Sequence, residues 1–178
     1  MTGDERLRLF CGLRLPAPTV DAVAAWQHAE LRDGRIVPPQ NLHVTLAFLG
    51  SRPAGDLEAV AGALGEAVAD AGHLDLRVLG YRETRSVGML TFGDEDGRAA
   101  AIAARLHDRL ESLGLYRREA RRWLPHLTVV RFRRPPGLRP PLPELGAVSP
   151  SDAAVYLSRL RPGGAQYEVL EAVALGGG

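Results

Sequence analysis

Two imidazoles, each followed two residues on by a threonine hydroxyl, are the groups in this chain best suited to chemistry: His43-Val44-Thr45 and His126-Leu127-Thr128. Side chains along a strand alternate between faces, so a His and a Thr two apart point the same way and can meet one small anionic group together. An imidazole titrates near neutrality and can give or take a proton, while a hydroxyl can donate a hydrogen bond to a phosphate oxygen. Two such pairs suit in-line displacement at phosphorus. One imidazole deprotonates the attacking water or hydroxyl, the other protonates the departing oxygen, and no metal or other cofactor is required. The residues alone do not assign which imidazole gives and which takes. A single His-x-Thr on a half-buried strand is more often structural, but two copies, each entering an apolar strand after proline, move the reading toward function.

Other chemistries fit less well. Threonine is a poor zinc ligand, and no cysteine or carboxylate stands at metal spacing near either His. The Gly-x-Ser-x-Gly elbow of serine hydrolases is absent from the sequence. Asp94-Glu95-Asp96 reads as a loop leading into a helix N-terminus. His28 and His107 fall on predicted helices and His73 at a helix-to-strand turn, and none of them is given a catalytic role.

The elements that must position the two pairs follow from periodicity. Leu42, Val44, Leu46 and Phe48 alternate onto a core face, with His43, Thr45, Ala47 and Leu49 on the other. Leu124 to Val130 forms the second such strand. Arg6 to Leu15 alternates as a strand, Thr19 is placed to cap a helix running to about Arg32, and Pro38-Pro39 deliver the chain into the first motif. Amphipathic helices are predicted from about Gly55 to Ala71 and from about Arg98 to Leu113, where Gly114 is placed to stop the second. Strands are predicted over Leu74 to Tyr81, Ser86 to Phe92, Ala153 to Leu160 and Tyr167 to Ala174, with Pro135 to Pro143 as a surface loop. The order helix, loop, motif strand occurs twice, without the alternation of a parallel sheet. The expectation is α+β with largely antiparallel sheets, in two similar lobes that set their motif strands side by side around a central cleft.

At 178 residues, 46% of them hydrophobic and 24% charged, the chain is expected to make a single domain of two intimately packed lobes, residues 1–178. It shows no apolar run of membrane-spanning length and no secretory leader, so a cytoplasmic protein without a membrane partner is expected. Cys11 lies in an apolar strand pattern and reads as a core residue. All 22 basic residues are arginine, the cation that matches phosphate with a planar fork. They gather at Arg117, Arg118, Arg121 and Arg122, and at Arg131, Arg133 and Arg134, on both sides of the second motif. For want of an exposed apolar stripe, a monomer is expected.

With their flanks, the two motifs resemble the paired His-x-Thr signature of the two-histidine phosphoesterases, and more closely the RNA 2′,3′-cyclic phosphodiesterase branch, the 2′-5′ RNA ligase family. The likeness takes in Arg8-Leu9-Phe10, the lead-in Val37-Pro38-Pro39-Gln40-Asn41-Leu42, the exit Phe48-Leu49-Gly50, Pro125, and Ser158-Arg159-Leu160 through Gly163 to Leu170. The resemblance implies a bilobal two-histidine phosphoesterase fold and hydrolysis of an RNA-terminal 2′,3′-cyclic phosphate to a 2′-phosphate. It implies His43 as proton donor, His126 as proton acceptor, and Thr45 and Thr128 as phosphate contacts. The same displacement run backward would join RNA ends through a 2′-5′ linkage without ATP. Substrates of this class include RNA ends such as tRNA fragments, or small cyclic nucleotides. Two rivals stand beside it: a cyclic phosphodiesterase of small nucleotides, and a nucleotide or RNA-end binding module without turnover. Arg131 matches an arginine of the branch and is carried over as a phosphate contact, although strict alternation puts it on the face opposite His126. A bulge or the strand end would have to turn it back. At Val87-Gly88-Met89-Leu90 the chain lacks the bulky residue expected there, so no base stacking is expected from that strand.

Overall fold

The elements run β1 (Arg6–Arg14), α1 (Ala17–Glu30), β2 (Arg35–Ile36), β3 (His43–Pro53), α2 (Leu57–Val68), β4 (Arg77–Glu83), β5 (Val87–Gly93), α3 (Arg98–Ser112), β6 (His126–Arg131), β7 (Asp152–Arg159) and β8 (Gln166–Ala174). This is a computed structural model, and it describes residues 4–176. The strands join in the order β4-β5-β6-β3-β1-β7-β8, with β2 added beside β6. Every described pairing is antiparallel, as the mixed order of helices and strands leads one to expect. The chain is α+β and has the bilobal arrangement: β1, β3, β7 and β8 on one side, β2, β4, β5 and β6 on the other. The halves meet at a single pair, Val44 with Leu127.

Local sequence accounts for the ends of the elements. Helix α1 begins at Ala17 after Pro16, with proline in the first turn and no side-chain cap. The expected cap at Thr19 is therefore wrong: proline, pre-set to a helical φ, starts the helix three residues earlier. Helix α2 starts at Leu57 rather than Gly55, behind a short 3-10 turn at Ala54–Asp56. At the start of α3, the Asp94 carboxylate accepts from the backbone N–H groups of Ala99 and Ala100, at 3.2 and 2.8 Å, and Asp96 accepts from that of Arg98 at 3.1 Å. Its C-terminus closes at Gly114, φ 71°, where the amides of Gly114 and Leu115 donate to Glu111 and Leu110. A left-handed residue is needed there, and glycine takes it without cost.

One hydrophobic cluster runs beneath both halves, holding Leu13, Val44, Leu46, Ile102, Leu127 and Val129 with 1% exposure or less. Cys11 lies fully buried within it, its thiol pushed up to about 12 by burial, as befits a core residue. The helices are exchanged between halves. Helix α1, which precedes β3 in the chain, reaches β6 through a hydrogen bond from Gln27 to Val129 O. Helix α3, which precedes β6, reaches β3 through His107 to Leu46 O. No described helix is long and apolar enough to cross a membrane.

Candidate active site

The Val44–Leu127 pair places the two motifs together. In antiparallel register it sets His43 across from Thr128 and Thr45 across from His126, with all four side chains on one face. By register each His lies opposite the threonine of the other motif, while the His43 ring is hydrogen-bonded to the hydroxyl of its own motif, Thr45. Beyond this pair the strands diverge, and a cleft of about 210 Å³ opens, lined by His43, Thr45, Thr128 and Arg131 with Phe10 and Phe48 among its walls. His126 does not line that volume. Its imidazole is near enough to add to the lowering of the His43 pKa.

Both motif strands bulge at the same place. In β3 the register with β1 runs Gly12 to Thr45 and then Cys11 to Ala47, skipping Leu46. In β6 the register with β5 runs Met89 to Thr128 and then Gly88 to Val130, skipping Val129. From each His the burial sequence is the same: half-buried, buried, half-buried, buried, buried, exposed. An extra residue shifts the alternation by one, so the fifth residue after each His turns onto the site face. That residue is Phe48 in β3 and Arg131 in β6. Arg131 is turned back by a bulge, the device that strict alternation demanded. Phe48, expected in the core, is 48% exposed and lines the cleft. That expectation failed because alternation was extended across a bulge.

The imidazoles are oriented alike. His43 Nδ1–H donates to the Asn41 carbonyl at 2.8 Å, and its Nε2 accepts from the Thr45 hydroxyl at 2.8 Å. His126 Nδ1–H donates to the Leu124 carbonyl at 3.1 Å. A carbonyl can only accept, so in neutral rings both Nδ1 atoms carry the proton and both Nε2 atoms present a lone pair, that of His43 taken up by the Thr45 hydroxyl. His43 lies against Phe10, Tyr156 and Tyr167, with ring centroids 4.7, 5.5 and 5.4 Å away. Burial pulls its pKa down to about 4. The Asn41 carbonyl opposes the shift, while Arg131 and His126 add to it.

The sequence profile of the 2′-5′ RNA ligase superfamily matches residues 15–160. The chain belongs to this superfamily. The solved structure of E. coli LigT complexed with NADP+ is 26% identical, with 97% of this chain and 99% of that chain covered and a TM-score of 0.80. TT0787 of Thermus thermophilus is 27% identical over 95% and 98%, with a TM-score of 0.80. The MHV ns2 PDE domain shares the fold alone, at 15% identity over 96% and 99% and a TM-score of 0.56. No curated protein matches the chain.

Within this superfamily fold, several residues around the cleft were not legible in the sequence. Phe10, Tyr156 and Tyr167 form an aromatic wall, with Phe10 stacked on Tyr156 at 4.6 Å. Arg8 lies over the Phe48 ring at 4.8 Å. Arg35 lines the cleft and donates to Gly163 O at 3.0 Å. Only pairing across strands distant in sequence brings these together. The space over Gly88 is filled instead by Tyr81, whose hydroxyl would lie 2.3 Å from a Cβ built there. Of the clustered arginines, Arg118 pairs with Asp108 and Glu111, and Arg121 with Glu119, so those two serve the surface. Arg131 alone of the named cluster lines the cleft. His28 is exposed, and His73 Nε2 lies 3.1 Å from the Ser149 hydroxyl, both away from the cleft.

Proposed function

We propose that this protein hydrolyses RNA-terminal 2′,3′-cyclic phosphates to 2′-phosphates. The supporting observation is the register that sets each His across from the threonine of the other motif, with both Nδ1 atoms held by backbone carbonyls and Arg131 lining the cleft beside His43, Thr45 and Thr128. Thr45 and Thr128 donate to the non-bridging oxygens, and the Arg131 guanidinium neutralises the phosphate. His126 Nε2 takes the proton of a water as its oxygen bonds to phosphorus. His43 Nε2–H gives a proton to O3′ as the O3′–P bond breaks, leaving a 3′-hydroxyl and a 2′-phosphate. In the free protein His43 is neutral. Burial is the chief cause of its low pKa and the Arg131 charge adds to it; an arriving phosphate offsets that charge and favours the protonated donor.

With the 5′-hydroxyl of a second RNA in place of water, the same displacement forms the O5′–P bond as the O3′–P bond breaks and joins RNA ends through a 2′-5′ linkage without ATP. That E. coli LigT has been crystallised with nucleotides, NADP+ and 3′-AMP among them, supports a nucleotide-bearing substrate. We place the activity in the cytoplasm and in a monomer. The test is turnover of a short RNA bearing the cyclic end by His43→Ala and His126→Ala. Each variant should lose roughly 10² to 10⁴ in kcat while keeping the wild-type circular dichroism spectrum. A folded single variant with full activity would contradict the assignment.

A further inference from the structure

The two bulges each have a cap, and the caps have no role in the chemistry above. The residue skipped in β3 is Leu46, and its carbonyl accepts from His107 Nε2 at 2.8 Å. The residue skipped in β6 is Val129, and its carbonyl accepts from Gln27 Nε2 at 2.8 Å. Both donors are polar side chains buried in apolar surroundings, with 6% and 0% exposure, and each comes from the helix that precedes the other motif strand. Gln27 spends its second amide hydrogen on Val37 O at 3.0 Å. Its Oε1 has no hydrogen-bond partner among the described residues. An amide that leaves one end unsatisfied in the core is costly, so this residue is held for its donors.

A bulge needs this kind of fixing. The extra residue leaves the regular ladder, and a slip by one position would reverse every side chain beyond it. We infer that Gln27 and His107 are positioning residues for the site. By taking the carbonyls of Val129 and Leu46 they lock each bulge at the third residue after the His, and so direct Arg131 and Phe48 onto the His-Thr face. Neither touches the cleft; each acts through the strand it caps.

As far as turnover is concerned, the inference rests on the proposed function. Its test is a double-variant cycle in kcat/KM on the cyclic-ended RNA, with Gln27→Met, Arg131→Ala and the pair. Gln27→Met keeps the length and loses the donors. It should raise KM by about tenfold, and the double variant should be no worse than Arg131→Ala alone, because the guanidinium has already left the site. Additive losses would mean that Gln27 supports the fold in general, and would overturn the inference. Should Gln27→Met not fold, the cycle is run at the other strand with His107→Phe and Phe48→Ala, and non-additivity is again expected. A crystal structure separates the two readings. If a folded Gln27→Met or His107→Phe keeps its bulge, and with it Arg131 or Phe48 on the site face, the inference fails even in a fully active protein. If the wild type turns over no cyclic phosphate, the proposed function fails, while the loss of the bulge in the variant remains to be seen in the same crystals and decides the positioning role.

Discussion

His43 is uncharged near neutral pH in the folded protein, and that has a consequence for stability. Its ordinary pKa of 6.5 falls to about 4 in the folded protein, chiefly through burial. Between those values the unfolded chain binds a proton that the folded one refuses, so stability is full above about pH 6.5 and is lost as the pH falls toward 4. The loss should be on the order of 3 kcal/mol, and it should be largely absent in His43→Gln. Chemical denaturation from pH 7 to pH 4 for both proteins measures it; equal slopes would contradict the buried neutral imidazole. Protonation of His43 by an arriving phosphate, as proposed, predicts proton uptake when inorganic phosphate binds near pH 6. Calorimetry in buffers of different ionisation enthalpy reads that uptake, and no uptake would speak against a donor charged by its ligand.

At the scale of elements, β1 carries more of the site than its sequence shows. Gly12 pairs with Thr45, and a Cβ built there would stand 3.1 Å from Val44 O, 3.2 Å from His43 Cδ2 and 3.4 Å from Tyr156 Cε2. Those contacts are tight on three sides. Gly12→Ala should displace the His43 ring and lower kcat by roughly tenfold or more, since small misplacements cost heavily in proton transfer, with a smaller loss of stability. Unchanged turnover would show that the ring has room to move. The need for a small residue at Gly12 is invisible to periodicity, because it arises from strands adjacent in space and distant in sequence. Where pattern is local, the sequence is a good guide. The alternation of β1, the span of α3 and its glycine stop, and the pairing of the two motif strands were all legible. Alternation failed where an inserted residue changed the phase, as with Phe48. The start of α1 was misplaced because Pro16 and Pro18, rather than the Thr19 hydroxyl, set it.

The whole molecule is held by exchange. Helix α1 caps a strand of the half that follows, helix α3 caps one of the half that precedes, and a single hydrophobic cluster underlies both. We propose on this ground that residues 1–178 form one cooperative unit. Thermal unfolding followed by far-ultraviolet dichroism and by Trp26 and Trp123 fluorescence should give coincident transitions; two separated midpoints would mean that the halves fold independently. The exchange also explains why two strands with one pair between them can hold four side chains in crossed register: the joint is narrow, but each strand is anchored from the far half. The central claim is the reaction at that joint. Its most direct test is to incubate the purified protein, with EDTA present, with a short RNA ending in a 2′,3′-cyclic phosphate, and to resolve the two possible monoester products. Conversion to the 2′-phosphate without added metal is the expected result. Formation of the 3′-phosphate, or no conversion by a protein verified as folded, would contradict the account.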